Sequence, residues 1–215
     1  MHPRAEPVTP TISARPPRRR DAVANREALL SAAQSVLASD SHASLDAIAQ
    51  AAGLSRRALY GHFPDRDSLV REVIAVGAAR FNSIAEMTDD ADPRVALAQM
   101  AVRLWREATA VRAAASIALD DAHVGDTVRA LAPLRRRVRE LTRAGVESGA
   151  FRTDMEPDLL ALLVEETARA TLRALSLATE DASTIIVKIL LSVAGLSWSE
   201  QVELALGRPE ILEVQ

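Results

Sequence analysis

The stretch from Ser44 to Pro64, SLDAIAQAAGLSRRALYGHFP, decides the fold. Ser44 stands before a short apolar run, Leu45 to Ala52, where a serine oxygen can accept an early backbone N–H and start a helix. Gly53 follows where that helix would end, and a glycine there lets the chain take a left-handed conformation. Leu54 is a spacer, Ser55 caps a second short helix from Arg56 to Gly61, and Phe63-Pro64 breaks the pattern. Helix, three-residue turn and helix fit within 18 residues, so the two helices cross steeply around small apolar side chains. Ala47, Ile48, Ala51 and Leu54 are expected to fill the elbow with Ala58 and Leu59. The outer face of the second helix then shows Arg56, Arg57, Tyr60 and, just beyond, His62.

Working outward, Val23, Ala24, Leu29, Leu30, Ala33, Val36 and Leu37 recur at three- and four-residue intervals, which predicts an amphipathic helix over 21–38. Asp65 caps a following helix whose stripe of Leu69, Val70, Val73, Ile74 and Gly77 runs to at least Ile84. Pro93 suits the first position of another helix, where its missing N–H costs nothing. Further helices are expected over 111–121, over 124–148 with a kink or restart at Pro133, from Glu156-Pro157-Asp158 to about Ala178, and from Asp181 to Ser183 as far as about Leu206.

Composition agrees with an all-helical chain. Of 215 residues only 3 % are aromatic and 8 are glycine, while good helix formers abound. With no cysteine there is neither a disulfide framework nor a thiolate metal site, and His2, His42, His62 and His123 show no ligand spacing among themselves. No cofactor or metal is expected. The longest late apolar run, 185–196, is interrupted by Lys188 and too short to span a bilayer, and the first 20 residues lack a signal peptide's apolar stretch. The expectation is a soluble, cytoplasmic protein without a membrane partner.

Charge is placed unevenly. Residues 1–80 hold 11 arginines against 8 acids, so a chain of net charge −3 carries +3 on that part and −6 on the rest. Residues 1–20 hold five of the ten prolines together with Arg18, Arg19 and Arg20, and read as a disordered basic arm. Two readings of the arm stay open, a solvated tail and a segment that docks on polyphosphate.

A short helix projecting two arginines and a hydroxyl suits a major groove, where Arg pairs bidentately with guanine. Arg56 and Arg57 point about 100° apart, so one of them is expected to read bases and the other to sit on phosphate. Tyr60 is equally readable as a contact or as core. Ile48-Ala49, Gly53-Leu54-Ser55, Leu59-Tyr60, His62-Phe63-Pro64 and Leu69 together resemble the N-terminal signature of TetR-family transcriptional regulators, closely over 21–75. Gly149 to Asp154 followed by Glu156-Pro157-Asp158 is more weakly similar to a connection that the family has before its dimer bundle.

The resemblance implies a three-helix DNA-binding head over 21–66 and a helical ligand-binding and dimerisation body over 67–215. It places Ser44, Tyr60 and His62 where the family touches phosphate, and Arg66 where Lys is common. Two departures stand out: the first interhelical turn has no glycine, and Gly61 follows the tyrosine where a larger residue is usual. Candidate DNA-binding residues are thus Arg18, Arg19, Arg20, Ser44, Ser55, Arg56, Arg57, Tyr60, His62 and Arg66. Phe81, Met100, Leu104, Trp105, Ile117 and Leu141 are candidates for the lining of a small-molecule cavity, although ordinary core explains them as well.

On the last two helices Leu159, Leu162, Leu163, Ile186, Ile189, Leu190, Val193 and Leu196 offer more apolar surface than one bundle edge needs, so a homodimer through those helices is expected. The implied function is a ligand-responsive regulator, a repressor binding a palindromic operator and released by an effector. The rival is a helical small-molecule binder or enzyme whose N-terminus only resembles a DNA-binding head. No catalytic constellation favours it.

Overall fold

A computed structural model describes residues 17–110, 123–174 and 182–211. The first three helices are α1 (Pro17–Ser39), α2 (Leu45–Ala51) and α3 (Arg56–His62), followed by the long α4 (Arg66–Met87). The body continues with α5 (Pro93–Ala110), α6 (Val124–Ala130), α7 (Ala132–Glu147), α8 (Pro157–Ala174), α9 (Ala182–Val193), α10 (Trp198–Gly207) and a closing 3₁₀ turn, Pro209–Ile211. The expected helix over 111–121 lies outside the described residues, as does Ile117 with it. No described helix is long and apolar enough to cross a membrane.

Two apolar cores form. Leu29, Ala33 and Leu37, spaced four residues apart on α1, close over Ile48, Ala49, Leu59 and Phe63 and over the first half of α4, Leu69 to Ile74. The second core gathers Val95, Leu97 and Val102 of α5, Leu141 of α7, Leu160 and Val164 of α8, and Ile186 and Leu190 of α9. One continuous helix, α4, is packed into the head core at its start and against the body beyond it.

Capping explains several boundaries. Asp65 accepts the Ser68 N–H at 2.7 Å while the Ser68 hydroxyl faces the Asp65 N–H, a reciprocal box that opens α4. Gly149, at φ +72°, ends α7 in the left-handed region. The expected restart near Pro133 is a clean break at Leu131, between α6 and α7.

Two boundaries differ from expectation. The first helix begins at Pro17, so Arg18, Arg19 and Arg20 stand on its first turn and not in an arm preceding it. The last helix is two helices. Gly195 has φ +102°, and a Cβ there would lie 2.6 Å from Cβ of Arg152, whose N–H donates to the Ala194 carbonyl at 2.8 Å. A non-glycine residue is excluded on both counts, α9 stops, and Ser197 with Glu200 forms a new capping box for α10.

Candidate nucleic-acid interface and body cavity

The α2–α3 corner is held from within by Ile48 and Leu59, both fully buried, and by Ala49. Ala47 and Ala51, expected in the elbow, are exposed; the helix turns Ile48 and Ala49 inward instead, with Leu45 and Ala52 half-buried beside them. Arg26 of α1 braces this core from outside, its guanidinium 4.9 Å from the Phe63 ring centroid and 3.0 Å from Glu72.

The outer face carries hydroxyls and guanidinium groups. Ser44 and Ser55 each accept a backbone N–H, from Ala47 and Ala58, both at 3.2 Å. Capping uses the oxygen as acceptor, so both exposed hydroxyls keep an O–H to donate to an anionic oxygen. Arg56 and Arg57 are exposed, and Tyr60, 43 % exposed, is not core. His62 is half-buried at the end of α3, and Arg20 is exposed on the first turn of α1.

Two arginines are engaged within the chain. Arg66 turns back to the α1–α2 connection, where Nε donates to the Ala43 carbonyl at 3.5 Å and a terminal nitrogen to that of Ser41. It fastens a turn that lacks glycine, and those donors are not presented to a phosphate. Arg56 Nε lies 3.1 Å from Oδ1 of Asp46, and its guanidinium carbon 5.6 Å from the Tyr60 ring centroid. The Tyr60 hydroxyl first, and the Asp46 carboxylate after it, favour the charged form of Arg56 still further. No sequence signal announces the Asp46 partnership, because the two residues meet only across the folded corner.

A partly open cavity of about 530 Å³ lies among the body helices. Phe81, Met100, Leu104 and Trp105 line it, together with Leu97, Val138 and Val164. Leu141 does not: it is buried in the body core one turn beyond Val138 on the same face of α7, outside the lining. Two features of the wall escape a reading of the sequence. Gln34, Ser35 and Ala38 of α1 contribute to it, so the head itself closes one side. The wall also carries charge: Nε of Arg135 on α7 donates to Oε2 of Glu165 on α8 at 2.7 Å, with the Glu165 side chain only 10 % exposed, and Arg80 and Arg169 line it too. Among the described residues no group of His, Asp or Glu is arranged to hold a metal ion.

Geometry thus defines the class: an all-helical chain in which a helix-turn-helix head with an arginine-bearing outer helix is joined by α4 to a cavity-bearing helical body. Residues 29–73 match the family described as bacterial regulatory proteins, tetR family. No curated protein matches the chain. Solved structures share the fold, three of them as follows. RolR in complex with resorcinol aligns with a TM-score of 0.63 and 20 % identity over 92 % of this chain and 97 % of its own. PfmR, a TetR family transcriptional regulator from Thermus thermophilus, gives 0.66 and 21 % over 79 % and 98 %. FadR, a transcriptional regulator from Bacillus subtilis in complex with stearoyl-CoA, gives 0.69 and 14 % over 79 % and 97 %. Residues 29–73 of the head thus resemble the tetR family, and the chain shares the fold of these solved structures.

Proposed function

We propose that the chain is a ligand-responsive transcriptional regulator that reads a palindromic DNA operator as a homodimer and is released from it by a small molecule. The observation that carries this reading is the outer face of α3: Arg56, Arg57 and Tyr60 lie exposed on a helix whose inner side is locked into the head core by Leu59. That is the arrangement a major groove requires, with rigid backing and outward donors. Ser44, Ser55 and His62 flank it as phosphate contacts, and Arg20 adds an exposed positive charge on the first turn of α1.

The effector site is the body cavity, of a size and apolar character suited to a small organic molecule. The likeness to RolR with resorcinol and to FadR with stearoyl-CoA supports a ligand in this body, though the two ligands differ too much to name one for this chain. Coupling follows from the wall. A ligand touching Ser35 and Ala38 of α1 and Val73, Ile74 and Gly77 of α4 presses on the two helices that carry the reading helix. A preference of about 1–3 kcal/mol for one head position changes operator occupancy roughly 5- to 150-fold.

The dimer is supported by α8, where Leu159, Leu162 and Leu163 remain 48 %, 46 % and 38 % exposed. Ile186, Leu190 and Leu196, expected to share that face, are buried in the chain's own core. The seam accordingly centres on α8 more than on α9.

Selection of bound sequences from a random duplex pool tests the reading. The expected result is a palindrome whose half-sites lie about 34–36 Å apart or at a longer helical multiple. A pool without enrichment contradicts it.

A further inference from the structure

The two adjacent arginines of the reading helix keep different company. Arg57 is exposed and has no ion-pair partner among the described residues. Arg56 is bracketed by Asp46, the second residue of α2, and by Tyr60, one turn along α3. The bracket joins both helices of the motif on the face turned outward, and the side chains of Arg56 and Asp46 are 68 % and 52 % exposed. A pair this wet is held weakly, so a DNA phosphate competes with the carboxylate for the guanidinium on comparable terms.

We infer that Asp46 is a specificity-determining residue: it competes with phosphate for Arg56 and so keeps that arginine out of sequence-independent contacts, leaving Arg57 to meet the duplex first. The inference rests on the DNA-binding function proposed above. On an arbitrary duplex Arg56 reaches the backbone only by leaving Asp46, which then stands beside the phosphates as an unpaired negative charge. Binding to any sequence is therefore weakened, and discrimination falls to the contacts of Arg57.

Binding of the full-length chain to a fluorescein-labelled duplex of arbitrary sequence, followed by anisotropy between about 50 and 200 mM salt, tests this. Wild type, Asp46→Asn, Arg56→Ala and the double variant are compared, with melting curves to establish that each is folded. Asp46→Asn is expected to bind about three- to tenfold more tightly, with a log–log salt slope steeper by roughly 0.9, the signature of one added phosphate contact. Adding Arg56→Ala is expected to remove most of that gain. An unchanged affinity and slope in Asp46→Asn overturns the inference, as does a gain that persists in the double variant, because Asp46 would then act by simple repulsion. A wild type that ignores every duplex in dilute buffer removes the DNA-binding function and this inference with it, whereas a wild type that binds and an Asp46→Asn that matches it removes the role of Asp46 alone.

Discussion

The side-chain oxygen of Asn82 accepts the backbone N–H of Leu134 at 3.1 Å, while its amide nitrogen donates to the Ala130 carbonyl at 2.9 Å. Leu134 is the third residue of α7, a helix whose own N-cap, Leu131, supplies no side-chain bond. One amide on α4 thus caps the start of α7 and the end of α6, groups that have no partner within their own helices. Asn82→Ala is expected to cost about 1–2 kcal/mol, seen as a lower denaturant midpoint. Asn82→Asp should cost as well, since a carboxylate cannot donate to Ala130. Two midpoints equal to wild type would contradict this.

Gly145 is required for packing, not for backbone freedom. A Cβ at that position would lie 2.1 Å from the Phe151 ring, which is itself buried against α7. Gly145→Ala is expected to destabilise by about 1–3 kcal/mol, as overpacking does. Gly61→Ala meets nothing within 4 Å and serves as the matched control, with little change in the thermal midpoint.

Stability should carry an acid-range signature from Asp92. Hydrogen bonds from the Arg94 guanidinium, at 3.0 and 2.6 Å, hold its carboxyl below the usual carboxylate range, against the opposing effect of partial burial. A carboxyl whose folded pKa is depressed adds stability above its unfolded pKa, and that stability is lost as pH falls through the folded value. Asp92→Asn should therefore be less stable than wild type in urea at neutral pH. The gap should close as pH drops below about 4. A gap independent of pH would show that the ion pair is not its source.

The seam on α8 is open to a direct test. Leu162→Glu places a charge among the exposed leucines at no cost to either core. Sedimentation is expected to give a dimer for wild type and a monomer for the variant, with the monomer's helicity retained. A wild type that sediments as a monomer at micromolar concentration would contradict the seam.

What the sequence discloses here is what local spacing controls. Ser44, Gly53, Ser55 and Asp65 mark their boundaries because a cap or a left-handed turn depends on one residue and its near neighbours. The break at Gly195 has an equally local sign, the Ser197 to Glu200 capping pattern, but a strongly apolar run on one side masks it. The register of α2 is not legible in the same way, because alanines suit either face and only packing against α1 and α3 turns Ala49 inward.

In the candidate sites the outward chemistry of α3 follows from helical phase alone. The company of Arg56, the turning back of Arg66 and the meeting of Arg135 with Glu165 depend on residues ten to thirty positions apart, and no periodicity encodes them. The cavity lining is partly legible for the same reason. Met100, Leu104 and Trp105 share a face of α5, whereas Leu141 shares the face of Val138 but lies a turn further along α7, and spacing alone does not say where along a helix a cavity ends.

The central claim, that α3 meets duplex DNA through its exposed arginines, is tested most directly by binding of wild type and the Arg56→Ala/Arg57→Ala variant to the selected operator. The double variant is expected to bind at least about thirtyfold more weakly, near 2 kcal/mol, with its thermal midpoint unchanged. Equal operator affinity in the two proteins would contradict the claim.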